Sequence, residues 1–271
     1  MIKQAEIQKV AGSLGLRDTQ IEKDYIIGWV LKGISSNSSL KEKLVFKGGT
    51  ALRKIYFTDY RLSEDLDFTY KESVFASKEI KKNIEGVIAW IGEESRISLN
   101  IQDEDETFNN FYLGYTGPLG GKGANKSIKI DITDDEIICN KPDEKMVIND
   151  YSDLQDEYKI LCYTIGEIIS EKMRSLMQRT MPRDLYDIWN LFENENYNIE
   201  DYVSDFQKKT EFKKLDPNKL IKTLQSKRET YKRLWEDNLV NQITEVPDFE
   251  GVWRRLGKHW RKFEKVLGKT V

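Results

Sequence analysis

The sequence predicts an α+β chain in which a mixed sheet-and-helix half is followed by a half that is almost wholly helical. Up to about residue 150, short apolar runs bounded by turn residues alternate with stripes of helical period. From about Ser152 onward the apolar period is that of helices alone. A 39% hydrophobic chain of 271 residues, with no internal repeat and no low-complexity tract, can give each half its own core. The expected division is therefore 1–150 and 151–271.

The elements follow in order. Residues 2–34 read as two helices, with Asp18 or Thr19 as an N-cap and Ile21, Tyr25, Ile26, Trp29 and Val30 as an apolar stripe. Leu44-Val45-Phe46 is a short buried strand, residues 50–57 a helix, and residues 66–69 a second strand. A helix over 77–92 carries Ile80, Ile84, Val87, Ile88 and Ile91 on one side. Strands over 108–116 and 127–133 flank a Gly/Pro-rich turn at 117–123. Beyond an acidic connection come helices over 166–179, 183–193 and 219–235, and a basic tail.

Composition narrows the chemistry. No run approaches 18 apolar residues and Met1-Ile2-Lys3 does not begin a signal peptide, so a cytoplasmic protein with no membrane partner is expected. Cys139 and Cys162 lie in apolar stretches and are expected to be reduced. The single histidine, His259, nearly excludes Ser-His-Asp catalysis and His-ligated zinc, which leaves carboxylates, lysine, arginine and metal. The net charge of −3 is unevenly spread. Residues 134–157 hold nine acids against Lys141 and Lys145, whereas residues 252–271 hold seven Lys/Arg against Glu264, interleaved with Trp253, Trp260 and Phe263. That tail is either a solvated amphipathic helix or a surface for an RNA backbone.

Four constellations carry chemistry. Gly48-Gly49-Thr50 joins a strand to a helix and can offer backbone amides to a phosphate, although an ordinary turn would look the same. Asp65 and Asp67 alternate with Leu66 and Phe68, which puts both carboxylates on one sheet face, where they repel unless a cation sits between them. In Ile128-Lys129-Ile130-Asp131-Ile132-Thr133 three isoleucines point to the core, and Asp131 would join the pair if this strand lay beside residues 66–69. Lys172 falls inside the apolar stripe of Ile165, Ile168, Ile169, Met173 and Leu176, where it needs an anion or must snorkel. Asp184 and Asp187 share a side of the next helix and could orient it, or could be a helix-start acid and a surface acid.

Taken together and in this order, the chain resembles the AbiEii/AbiGii-type nucleotidyltransferase toxins, a branch of the DNA polymerase β-like superfamily. The residues that carry the resemblance span roughly 20 to 190. They are Glu22-Lys23-Asp24-Tyr25, Phe46-Lys47-Gly48-Gly49-Thr50-Ala51-Leu52, Arg61-Leu62-Ser63-Glu64-Asp65-Leu66-Asp67-Phe68, Lys129-Ile130-Asp131-Ile132, Glu171-Lys172 and Pro182-Arg183-Asp184-Leu185-Tyr186-Asp187. Two departures stand out: Thr50 replaces the serine of the general signature, and the gap from Thr50 to Asp65 is longer than usual.

The resemblance implies a polymerase β-like core with a C-terminal helical domain. It implies an NTP held by Gly48, Gly49 and Thr50, with Arg53, Ser63 and Lys172 beside it. It further implies Mg²⁺ or Mn²⁺ on Asp65, Asp67 and Asp131, with Lys172, Asp184 and Asp187 essential. The implied activity is nucleotide transfer to RNA, with the tRNA 3′ end first. The implied setting is a toxin–antitoxin or phage-defence system with a cognate antitoxin. A phosphotransferase on the same fold and a catalytically silent nucleotide-binding module are the alternatives.

Overall fold

The structure, a computed structural model, describes residues 1–121 and 126–268. Lys122 and Gly123 of the expected turn and Lys269 of the basic tail lie outside the described residues. The chain divides into two compact units, Met1–Asp135 with Pro142–Tyr163, and Glu136–Lys141 with Thr164–Val271.

The first unit is built on a seven-stranded mixed sheet in the order β3-β4-β5-β2-β1-β7-β6. Its strands are β1 (Leu44–Lys47), β2 (Leu66–Tyr70), β3 (Ser98–Gln102), β4 (Asn110–Thr116), β5 (Ser127–Thr133), β6 (Asp143–Met146) and β7 (Lys159–Cys162). β1 runs antiparallel to β2 and parallel to β7, and β2 runs parallel to β5. In β5 the burial alternates, with Ile128, Ile130 and Ile132 inside and the intervening polar residues half-exposed. Phe46 of β1 and Phe68 of β2 are cross-strand partners with ring centroids 5.4 Å apart, and both are fully buried.

The unit's helices are α1 (Gln4–Leu14), α2 (Asp18–Ser36), α3 (Leu40–Lys43), α4 (Gly48–Ala51) and α5 (Ser77–Ser95). The expected helix at 50–57 begins two residues earlier, and after Ala51 it widens into a π-helical turn over Leu52–Tyr56. α5 buries Ile80, Ile84, Val87 and Ile91, as its stripe predicts.

Three strands were not anticipated. β3 has only Leu99 buried, and β6 (Asp143-Glu144-Lys145-Met146) is a polar edge strand with no apolar period to read. β7 is four residues long and sits where a helical half was expected. It pairs with β1 through Phe46 and Cys162, so residues 151–163 belong with the sheet and the second unit takes over at Thr164 instead of near residue 150.

The second unit contains α6 (Ile165–Gln178), α7 (Pro182–Glu193), α8 (Val203–Phe212), α9 (Leu220–Leu239) and α10 (Phe249–Leu267). Thr164 caps α6 by accepting a hydrogen bond from the Glu167 amide, and Pro182 opens α7. The core is apolar: Met173, Leu176, Leu185, Ile188, Phe206, Leu224, Leu256 and Phe263 are all buried. Segment 136–141 is held by charge. Fully buried Lys209 meets Glu167 at 2.6 Å and donates to the Ile137 carbonyl. Glu167 in turn accepts from the Cys139 and Asn140 amides, and Arg174 pairs with Glu136 at 2.9 Å. Cys139 and Cys162 are free thiols. Among the described residues no helix is long and apolar enough to cross a membrane.

Candidate functional site

The site in the first unit grows from the end of β1. Lys47 pairs with Asp67 in the antiparallel register, and Gly48 follows with φ +82°, a conformation open to glycine. A Cβ at Gly48 would collide with the Asp67 carboxylate, and one at Gly49 would come within 2.7 Å of Arg61 Nη2 and 3.2 Å of Ser63 Oγ. The Thr50 hydroxyl donates to the Asp65 carbonyl. The glycine turn is therefore laid directly against the strand that carries the two acids.

Asp67 stands in register with Asp131 across the parallel β2–β5 pair. With Leu66 and Phe68 buried and Asp65 and Asp67 half-exposed, alternation brings all three acids to one face. Lys129 shares that face, and its Nζ donates to Asp131 Oδ2 at 3.0 Å. Burial lowers the Lys129 pKa, but this hydrogen bond and the fields of Asp131, Asp65 and Asp67 outweigh it and raise the value.

A hard divalent cation suits these hard oxygen donors. Among the described residues no group of three His, Cys, Asp or Glu side chains is placed to hold a metal ion, and the two carboxylates that could share one on this face are Asp65 and Asp67. That is the usual arrangement for Mg²⁺, whose remaining ligands are waters and substrate phosphates. Asp131, expected as a third ligand, is ion-paired with Lys129 at 3.0 Å.

Arg53, expected beside the nucleotide, pairs through Nε with Asp24 Oδ1 at 3.2 Å and donates from Nη1 to the Tyr60 carbonyl at 2.6 Å. The guanidinium beside Gly49 is that of Arg61, which is buried and was not singled out from the sequence. Its signal was available, because an arginine opening the Arg61–Phe68 run beside a phosphate-type turn has reason to be drawn inward.

The run Glu22-Lys23-Asp24-Tyr25 turns out to be a brace. Glu22, fully buried, accepts from the Leu119 amide at 2.7 Å and pairs with Lys126 at 2.8 Å. Lys23 meets Glu64 at 2.9 Å, inside the acidic motif. Asp24 binds Lys54 at 2.6 Å and accepts from the Tyr151 hydroxyl at 2.7 Å. Burial raises the Asp24 pKa, yet the cations Lys54 and Arg53 outweigh it and hold the group at about 2. Tyr25 donates to Asp153. Four consecutive residues thus fix four separate segments around the site.

In the second unit Lys172 is buried, and its anion is internal. Nζ lies 2.7 Å from Asp187 Oδ2 and 3.2 Å from Asp184 Oδ1. Arg179 holds Asp184 from the other side, with Nε 2.7 Å from Oδ2 and Nη2 3.1 Å from Oδ1. Burial pushes the Asp184 pKa up, but Lys172 and Arg179 more than reverse that and lower it. The spacing of three places Asp184 and Asp187 on one face of α7, and the lysine joins them.

The family model described as "Nucleotidyl transferase AbiEii toxin, Type IV TA system" matches residues 29–267. Among solved structures, the chain is similar to MenT4, a nucleotidyltransferase toxin from Mycobacterium tuberculosis H37Rv, with a TM-score of 0.67 and 16% sequence identity over 99% of each chain. At that identity the likeness is one of fold. No curated protein matches the chain.

Proposed function

Since the chain belongs to the AbiEii family of nucleotidyl transferase toxins of type IV toxin–antitoxin systems, we propose that it transfers a nucleotide from an NTP to the terminal hydroxyl of an RNA, with the tRNA 3′ end first. The reading rests above all on one observation: Asp67 and Asp131 in register, with Asp65 on the same face, beside a glycine turn whose backbone lies against Asp67.

In this reading Gly48, Gly49 and Thr50 cradle the triphosphate, with Ser63 and the buried Arg61 at its edge. Asp65 and Asp67 would hold Mg²⁺ or Mn²⁺, which supplies charge neutralisation on the phosphates and a more acidic acceptor hydroxyl. Asp131 accepts the proton of that hydroxyl. The hydroxyl oxygen forms a bond to the α-phosphorus, the bond from that phosphorus to the bridging oxygen breaks, and pyrophosphate leaves with its electron pair. In the helical unit Lys172, ion-paired with Asp184 and Asp187, is the other group that we expect to be essential. Such a protein acts in the cytoplasm, and an antitoxin partner follows from the family.

The test uses purified protein, total tRNA, Mg²⁺ and each NTP labelled in turn at the α and γ positions. We expect the α label on RNA and the γ label in pyrophosphate. Asp67→Asn should lower the rate by about 10² or more, because a lost charge-stabilising group at phosphoryl transfer is worth several kcal/mol. Transfer of the γ label would establish a phosphotransferase instead. Nucleotide binding without turnover on any RNA would establish a silent module.

A further inference from the structure

The strongest feature that the site does not absorb is α10. Its buried residues Val252, Leu256, Trp260, Phe263 and Leu267 occupy one side of the helix. Arg254, Arg255, Lys258, Arg261, Lys262 and Lys265 are all exposed. At 3.6 residues per turn, Arg254, Lys258, Arg261 and Lys265 fall within an arc of about 60°, roughly opposite the buried stripe, and span about 16 Å along the axis. Arg255 and Lys262 widen that arc on one side.

The surrounding acids do not cancel this face. Glu250 is taken up by Arg228 at 2.5 Å and Lys232 at 2.8 Å, and Glu193 lies between His259 at 2.6 Å and Arg255 at 3.7 Å, at the margin of the arc. Six bases against two acids give α10 a formal +4 in a chain of net −3, so the rest of the chain carries −7. At one end of the stripe the Arg228 guanidinium lies 5.8 Å from the half-buried Trp253 ring, an aromatic–cation pair at its margin.

We propose that the exposed face of α10 is the docking surface for the phosphate backbone of the RNA acceptor; this deepens, and rests on, the RNA-transferase reading above. Charge complementarity selects a polyanion, and the concentration of cations on one helix face of an otherwise acidic protein makes that selection local. An anionic membrane is the weaker occupant, because a helix that docks in a bilayer interface inserts its apolar face, and the apolar face of α10 is already buried in its own unit.

The experiment measures binding of a fluorescent tRNA transcript to the full chain over about 0.05–0.3 M KCl. The variant carries Arg254→Gln, Lys258→Gln, Arg261→Gln and Lys265→Gln, all at exposed positions in a helix that glutamine supports. A control with the same charge change carries Lys3→Gln, Lys9→Gln, Lys78→Gln and Lys82→Gln, exposed residues of the sheet unit. The α10 variant should bind on the order of 10²-fold more weakly at low salt, and the slope of log K against log salt should fall by about 0.7 for each phosphate that the helix no longer neutralises. The control should keep the wild-type slope, and thermal melts should show all three proteins folded.

Equal slopes for wild type and the α10 variant, or equal losses in variant and control, overturn the proposal. So does an α10 variant that loses phosphatidylserine vesicles as strongly as RNA. Label transfer from an α-labelled NTP to a saturating trinucleotide acceptor separates the two levels. If wild type transfers label while the α10 variant keeps its RNA affinity, the docking surface falls and the transferase reading stands. If wild type neither binds nor labels any RNA, both fall.

Discussion

Two acid clusters, one in each unit, are neutralised in opposite ways. In the sheet unit Asp65, Asp67 and Asp131 stand half-exposed on a sheet face, with Lys129 among them. In the helical unit Asp184 and Asp187 with Lys172, and Glu167 with Lys209, are nearly or wholly removed from solvent. A half-exposed acid cluster is tolerable when empty and gains when a cation or phosphate arrives. An interior pair is already satisfied, and its value is felt chiefly when one partner is removed. The comparison teaches that acids open to a ligand and acids that hold a fold can be told apart by what already neutralises them.

The largest expected effect breaks the interior side of that contrast. Lys209→Met keeps an unbranched buried side chain one atom shorter but leaves Glu167 without its cation and Ile137 without its donor. Leaving a buried charge uncompensated should lower stability by about 3–5 kcal/mol, read as a shift in the urea midpoint. Asp67→Asn, on the open side, should move that midpoint by less than about 1 kcal/mol while removing activity. If the two variants lose stability equally, the distinction between the units is wrong.

That contrast also marks what the sequence could and could not disclose. Alternation in Ile128–Thr133 and in Leu66–Phe68 needed no partner to be read, because side-chain direction in a strand is local. The pairing of those strands was not local, and only the fold supplied the Asp67–Asp131 register. β6 escaped because a solvent-facing edge strand carries no apolar period, and β7 because four residues fit a strand or a helix equally well. Lys172 was readable as inward, and Asp184 and Asp187 as acids that could orient it; only the fold shows both within its reach. Arg53 and Arg61 show the same limit. Both follow the glycine turn in sequence, and only the fold reveals that Arg53 turns to Asp24 while Arg61 turns to Gly49.

An intermediate effect comes from pH and tests the brace that supports the open face. The folded-state pKa of Asp24, about 2, lies below the ordinary aspartate value near 4. A depressed carboxylate contributes stability that is fully present above the unfolded pKa and is lost as pH falls through the folded one. The window is therefore about pH 4 down to 2, and the contribution is on the order of 2 kcal/mol. Asp24→Asn should be well below wild type in stability at about pH 6, and the gap should narrow by that amount on acidification to about pH 2. A gap that stays constant across this window would mean that Asp24 is held by shape and not by its charge.

The smallest effect sharpens the open side. Lys129 and Asp131 have side chains 32% and 38% exposed, so solvent screens their pairing, and Lys129→Gln should change stability by no more than about 1 kcal/mol. Because the ammonium also sits in the fields of Asp65 and Asp67, its removal takes away a cation that the three acids share. The repulsion among them acts over several ångströms through water, and it should fade as KCl is raised toward about 1 M, where the screening length falls to about 3 Å. The stability gap between Lys129→Gln and wild type should therefore shrink with salt, while the gap for Lys209→Met persists, since ions do not reach a fully buried pair. A large and salt-insensitive loss in Lys129→Gln would make this lysine a structural counter-ion and the acid face a closed one, with no room for a nucleotide's cation beside Asp67.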